Sequence, residues 1–448
     1  GSSAFGVNNQ WGYFPSFSFG WRFSEENFLS GFNFLGESKI RVSWGQAGDA
    51  IDENYATYSY YENTGQYGEN PVIVPTQIQL SNLKWQTVTS WNIGIDINLF
   101  NERLYMTADV YDKVTKDLLW KNYDIPGSSG YNRLGWLNGG ELQNQGWELF
   151  LRGSVIQREN LEIALNANIS QNINSFKSFP INFQTERATD IGNGQYPRKA
   201  EVGKPIGSFY GFRYLGVYAT DADAVARDEN GDVMVDARGN PILMSYNEEY
   251  EFQGGDAIYE DINHDGKIDI MDAVYIGNSS PEVMGGFGTS VTYGQFSSSV
   301  HFHYRLGFDI VNEVASSTQD MLGRNNQSKA VLKRWKRPGQ SGEGILPRAY
   351  LNHPANNLGS DRYVEVGDFL RLNSIDFNYR ITNQQTLQRL NLNSISVGIN
   401  IRNVLTFTNY SGQDPEIGRV GKNPFFLGTD NARTPPPRIY ALRINLTF

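Results

Sequence analysis

The stretch Asp261-Ile262-Asn263-His264-Asp265-Gly266-Lys267-Ile268-Asp269-Ile270-Met271-Asp272 gathers oxygen donors at a spacing suited to one metal ion. Asp261, Asn263, Asp265, Asp269 and Asp272 fall at positions 1, 3, 5, 9 and 12 of a twelve-residue loop, and Gly266 supplies the glycine required at position 6. Lys267 at position 7 would contribute its backbone carbonyl, and Ile268 fits the apolar position 8. Every donor is a hard oxygen, which selects Ca²⁺. Asp272 replaces the usual Glu at the last position, and its shorter arm weakens bidentate coordination. The task of such an ion would be structural: to order the long loop around it. The same residues also read as an acidic, glycine-containing turn that holds no metal.

No other constellation suggests catalysis. Cysteine is absent, which excludes disulfides, zinc–thiolate sites and thiol nucleophiles. There is no GxSxG, HExxH or Walker sequence. His301 and His303 alternate with Val300 and Phe302 and so share one face; polar lining is the reading, a metal pair the alternative. Glu248-Glu249 and Asp221/Asp223 imitate a glycosidase dyad but read as solvated surface. The basic run Lys329–Arg337 suggests a short helix carrying Trp335, used in loop packing or a partner contact. A net charge of −10 without a basic stripe excludes a nucleic-acid partner. No enzyme is expected.

The elements that must position these residues are strands. Between residues 88 and 99, Trp91, Ile93, Ile95, Ile97 and Leu99 share one face, and Asn92, Gly94, Asp96 and Asn98 the other. Residues 393–405 and the end of the chain, Tyr440 to Phe448, repeat this period of two. Weaker copies lie near 13–23, 37–47, 103–115, 140–153, 160–172, 284–293, 297–308 and 368–381, which makes about eleven strands. Twelve residues at roughly 3.3 Å span about 40 Å. Tilted by about 40°, such a strand matches the ~30 Å hydrocarbon thickness of a bilayer.

The connections alternate short and long. Phe100-Asn101-Glu102, Gln157–Asn160 and Gly294-Gln295 form tight turns; residues 48–87, 116–139, 173–283, 309–367 and 406–436 form loops. Short turns at one end and long loops at the other mark an outer-membrane barrel. Aromatics at 13% and 46 glycines also suit a large all-β protein and exclude disorder. Trp11, Tyr13, Trp85, Trp91, Tyr105, Trp120, Trp147 and Tyr440 read as interfacial aromatics. No run of about 18 apolar residues offers a transmembrane helix. A soluble β-sandwich or propeller is the alternative. If Phe448 ends on the periplasmic side, counting back eleven strands puts the first on the outside, and an even-numbered barrel needs an odd number more.

Gly1-Ser2-Ser3-Ala4-Phe5-Gly6 with Tyr13-Phe14-Pro15-Ser16 resembles "DGSSRFG…GYFPS". Lys39-Ile40-Arg41-Val42-Ser43-Trp44-Gly45 resembles "KLRASYG". Trp85-Gln86 through Trp91-Asn92-Ile93-Gly94 resembles "WETTTQWNIGID", with Gln86 where Glu is usual. Gly203-Lys204-Pro205-Ile206-Gly207-Ser208-Phe209-Tyr210-Gly211 resembles "GxPIGSFYG", and Ile439 to Phe448 the terminal strand ending in Phe. Together these stretches resemble the SusC-like TonB-dependent transporters of Bacteroidota, a likeness that implies a barrel of about 22 strands, of which residues 1–448 are the C-terminal part.

The resulting expectation is an all-β, transmembrane antiparallel barrel segment in the bacterial outer membrane, contacting lipid. Residues 173–283 form a long extracellular insertion with an EF-hand/dockerin-like calcium loop at 261–272. The plug and N-terminal domains lie outside this sequence. The resemblance implies active import of oligosaccharide or peptide fragments, powered by TonB, with a SusD-like surface lipoprotein as lid. A passive porin or structural barrel is the alternative, and a soluble glycan-active enzyme or lectin a third. Tyr58, Tyr60, Tyr61, Tyr67 and Trp120 are aromatics in external loops that either stack on sugars or pack on one another.

Overall fold

Period-two alternation places each strand's apolar residues on one side, so strands laid edge to edge build one apolar and one polar face. The computed structural model describes residues 1–131, 133–180, 186–187, 194–196, 198–340, 345–416 and 428–448. Parts of the expected loops 173–283, 309–367 and 406–436 lie outside the described residues. Eleven strands form one sheet in chain order: β1 (Ser16–Trp21), β2 (Lys39–Asp49), β3 (Gln86–Leu99), β4 (Leu104–Lys116), β5 (Glu141–Arg158), β6 (Leu161–Ser178), β7 (Val283–Tyr293), β8 (Phe296–Leu306), β9 (Phe369–Ile381), β10 (Ser394–Thr408) and β11 (Ile439–Thr447). Every neighbouring pair is antiparallel, and the expected count of eleven is met.

The register carries one apolar stripe across the sheet. Ile95 of β3 pairs with Ile40 and Ala108. Ile399 of β10 pairs with Phe377 and Leu442. These side chains are not covered: Phe377 is 53% exposed, Ile399 48% and Leu442 70%. A contiguous apolar face of this extent does not face water in a soluble monomer. On the polar face, Gly94 lies between Arg41 and Asp109, and a Cβ there would meet the Asp109 carboxylate at 2.4 Å and the Arg41 guanidinium at 2.6 Å.

Short turns gather at one end of the sheet. Gly294-Gln295 closes β7 onto β8, and Gly294 has φ +56°, as a two-residue hairpin turn needs. Two connections at this end are longer. Residues 22–38 carry 3₁₀ turns between β1 and β2. Of the two α-helices among the described residues, α1 (Glu313–Gln319) lies in the loop after β8, and α2 (Gln384–Leu390) joins β9 to β10 at the short-turn end. The Asn383 side chain caps α2 by accepting from Thr386 N at 3.1 Å.

The long-loop end carries structure of its own. Hairpins Tyr60–Tyr67/Asn70–Gln77 and Leu119–Asp124/Arg133–Asn138 occupy segments expected to be plain loops. β6 runs on here to Ser178, past the expected 172, and β5 runs on at the short-turn end to Arg158, past the expected 153, because their polar ends keep pairing beyond the apolar stripe. The larger buried core also sits here, formed by Phe212, Tyr218, Tyr246, Phe252, Tyr259, Ile268 and Leu358 from the loops after β6 and β8. Two expected interfacial aromatics pack inward instead. Trp85 lies 4.7 Å from Phe5 and Trp120 stacks 6.3 Å from Phe176, because both sit beyond the apolar stripe.

Candidate transport lumen and calcium loop

Charged side chains on the polar face pair across strands. Arg41 of β2 donates to Asp96 of β3 at 2.9 Å and to Asp109 of β4 at 3.0 Å. Lys39 approaches Asp96 at 3.4 Å, and Thr107 donates to it at 3.1 Å. Pairing of this kind is what keeps a half-buried carboxylate ionised. On β9 and β10, Asn400 donates to Asp376 at 2.7 Å and Arg402 to Asn400 at 3.0 Å.

A second network holds a loop against the wall. His303 and Arg305 of β8 and Arg371 of β9 converge on Glu416, at 3.2, 3.2 and 3.1 Å. Arg371 also donates to Asp414 at 2.6 Å. Asp414-Pro415-Glu416, within the segment expected as a loop, therefore supplies two carboxylates to a buried arginine. Burial disfavours the Glu416 carboxylate, but the His303 hydrogen bond and the two arginines win and hold its pKa below the ordinary value. His301 and His303 share the polar face as expected, and His303 serves this ion network.

The residues expected to ligate Ca²⁺ form a tight loop. Asp261 accepts from Gly266 N at 2.8 Å and Asp265 N at 3.3 Å. Asp265 accepts from Lys267 N at 2.9 Å and from the Asn263 amide at 3.1 Å. Asp269 caps the 3₁₀ turn Ile270–Asp272. Asp272 is buried and accepts from Ile262 N and Asp269 N, each at 2.9 Å. Burial pushes its pKa up, helped by the nearby Asp261 and Asp269 charges. Gly266 has φ +81°, which only glycine adopts without strain. Lys267 follows this glycine and pairs with Glu248. The carboxylates are satisfied by N–H groups; among the described residues no group of three His, Cys, Asp or Glu converges enough to hold a metal ion.

The remaining candidates resolve into structural roles. Asp223 caps its own turn, accepting from Thr220 N at 2.8 Å, and Asp221 ties that turn to a distant segment, accepting from Gly254 N at 2.8 Å. Glu248 pairs with Lys267. The basic run forms a 3₁₀ turn only over Lys329–Lys333. Trp335 leaves it because its backbone N–H donates to Leu346 O at 2.8 Å, and its indole reaches Ala219 O at 3.4 Å. Tyr60 donates to Tyr55 O at 2.6 Å, whereas Tyr61 and Tyr67 are exposed at 66% and 84%. Sequence reasoning missed Arg371 as the anchor of Asp414, since no local pattern joins residues so far apart.

Residues 1–404 match the protein family described as TonB dependent receptor-like, beta-barrel. The chain belongs to this family. The apolar stripe is accordingly its lipid face in the bacterial outer membrane, and the polar face its lumen. TonB-dependent receptor P39 of Formosa agariphila is 30% identical, aligned with 100% of this chain and 44% of its own length. TonB-dependent receptor SusC of Bacteroides thetaiotaomicron is 27% identical over 95% of this chain and 40% of its own length. The chain thus spans less than half the length of the curated relatives it matches. The RagAB peptide importer in its "open-open" state superposes with a TM-score of 0.77 at 20% identity, covering 100% of this chain and 44% of that one, which shows the same fold. The family consists of receptors of the TonB-dependent class, and no helix among the described residues is long and apolar enough to cross a membrane.

Proposed function

We propose that this barrel segment belongs to a TonB-powered importer that carries oligosaccharide or peptide fragments through its lumen, beneath a SusD-like surface lipoprotein. One observation carries the reading: the wall separates an uncovered apolar face from a lumen face crosslinked by ion pairs such as Arg41–Asp96–Asp109. A large polar path needs such a lining, and a lipid-facing wall needs such a stripe. Membership of the receptor family and the named relatives SusC and RagAB support the rest. β1 and β11 each leave one strand edge unpaired among the described residues, so closure in lipid requires further strands. The test is uptake of single glycans and peptides by a deletion strain and its parent, with and without TonB. Uptake that persists without TonB would leave the passive porin as the better reading.

The 261–272 loop supports a second assignment, a structural Ca²⁺ held by Asp261, Asn263, Asp265, Asp269, Asp272 and the Lys267 carbonyl. Its support is the ligand spacing, the left-handed Gly266 and the burial of Asp272 at the last position. Binding would draw the carboxylates together and order the insertion. Terbium luminescence or calorimetry of the loop's Ca²⁺ affinity tests it.

A further inference from the structure

A cavity of about 430 Å³ lies at the loop end of the sheet, between the end of β2, the start of β3 and the hairpin that spans Leu119–Asn138. That volume falls within the range of small-ligand pockets. Asp49 and Gln86, which line it, are register partners and share the face of Arg41 and Asp96. The cavity therefore lies on the lumen-side face, at the rim formed by the loop end of the sheet.

Its walls are fixed. Ile51 is buried in a small core with Phe5, Ala56 and Leu83. Gln86 accepts from Leu119 N at 3.0 Å, which pins the hairpin to β3. The Trp136 indole donates to Glu53 at 2.9 Å, and Lys121 meets the same carboxylate at 3.2 Å. Lys121 also sits 5.2 Å from the centre of the Trp136 ring. Held this way, the cavity needs little reorganisation to receive a ligand.

Its charge is unbalanced. Lys121 answers Glu53, and Glu53 keeps a lowered pKa through Trp136 first and Lys121 second. Asp49 and Asp52 also line the cavity, and among the described residues neither has a hydrogen-bond or ion-pair partner for its carboxylate. Two exposed carboxylates thus line the cavity beside the apolar surface of Ile51 and Leu119. The carboxylates do not converge as a metal-holding group, and the space far exceeds one ion.

We propose that this rim cavity is a subsite for an ammonium or guanidinium group carried on an aliphatic stem, the charge meeting Asp49 and Asp52 and the stem lying along Ile51 and Leu119. The chemistry is shared by the basic side chains of peptides and by the amines of amino-sugar oligomers. It rests on the importer reading only in supposing that ligands reach the rim; binding itself needs no transport.

The test uses the full-length protein purified in detergent and calorimetry at low and high salt. The probes are a capped Ala-Lys-Lys-Ala peptide, its norleucine counterpart, a glucosamine tetramer and its N-acetylated counterpart. At least one cationic probe should bind about tenfold or more tightly than its neutral partner, and lose affinity as salt rises. The double variant D49N/D52N should lose that tenfold while keeping heat-modifiable, folded barrel. Binding by the peptide alone assigns the subsite to peptides; binding by the glucosamine tetramer alone assigns it to amino sugars. Equal binding of charged and neutral probes, or an unchanged D49N/D52N variant, overturns the proposal. TonB-independent uptake with intact cation binding would defeat the importer reading alone, and TonB-dependent uptake without cation binding would defeat this proposal alone.

Discussion

Arg371 on β9 donates to Asp414 at 2.6 Å, joining the wall to a loop that begins only after the next strand. Both are buried: Arg371 is 3% exposed and Asp414 7%. Arg371→Ala would leave Asp414 without its ion-pair partner and take one of three partners from Glu416, at a cost of about 3–5 kcal/mol for a broken buried pair. The loop at 410–416 should then become sensitive to limited proteolysis in detergent while the barrel stays heat-modifiable. A cleavage pattern identical to wild type would show that the loop is held by other contacts.

Acid should release the same loop. The Glu416 pKa is lowered in the folded protein, so its contribution is present above the ordinary glutamate range and is lost as pH falls through the folded value. Proteolysis at neutral pH should therefore spare the loop, and susceptibility should appear only below the ordinary glutamate range. Glu416→Gln should flatten this profile. A loop released between neutrality and mild acidity would show that Glu416 does not hold it.

Ile444 and Asn445 are neighbours on β11 that face opposite ways, Ile444 opposite Val397 on the lipid stripe and Asn445 opposite Ser396 on the lumen side. Ile444→Arg should impair assembly, by about 2–4 kcal/mol near the bilayer midplane. Asn445→Arg should assemble nearly as wild type. Folded protein in outer-membrane extracts measures both, and equal effects would reverse the assignment of faces.

Removing Leu446–Phe448 should cut folded protein in the outer membrane far more than removing Glu229–Gly231. The terminal residues supply lipid-side chains and pairing to β10. Glu229–Gly231 form an exposed turn outside the sheet, and shortening it costs little closure entropy. Equal yields would refute the role of the terminal strand in assembly.

Asp261→Asn with Asp265→Asn should abolish Ca²⁺ binding measured by calorimetry or terbium luminescence, since both residues supply charged ligands early in the loop. Wild-type affinity in this double variant would remove the ion from the 261–272 loop.

The wall is legible in the sequence because lipid and lumen impose opposite demands on consecutive residues. Ile93, Ile95 and Ile97 against Asn92, Gly94 and Asp96 can be read by eye, and their register follows. The hairpin Tyr60–Gln77 is not legible: Pro71 and Pro75 interrupt its second strand, and neither face is buried strongly enough to enforce alternation. The loop at 261–272 shows itself because its chemistry is local. The rim cavity and the Arg371 anchor do not. Glu53 and Trp136 meet only because two loops share a small core, and Arg371 and Asp414 only because the loop folds back onto the wall.

The buried aromatic core of Phe212, Phe252 and Tyr259 has a consequence for how such a chain can change over generations. The strands answer to the thickness of a bilayer, which is the same for every cargo. The external bodies answer to their own interior and touch the wall at a few tethers, such as Arg371 with Asp414 and Glu416. Replacing surface residues of those bodies leaves both constraints intact. The molecule therefore separates the part that is bound to the bilayer from the part that lies beyond it, and the second can change without disturbing the register of the first.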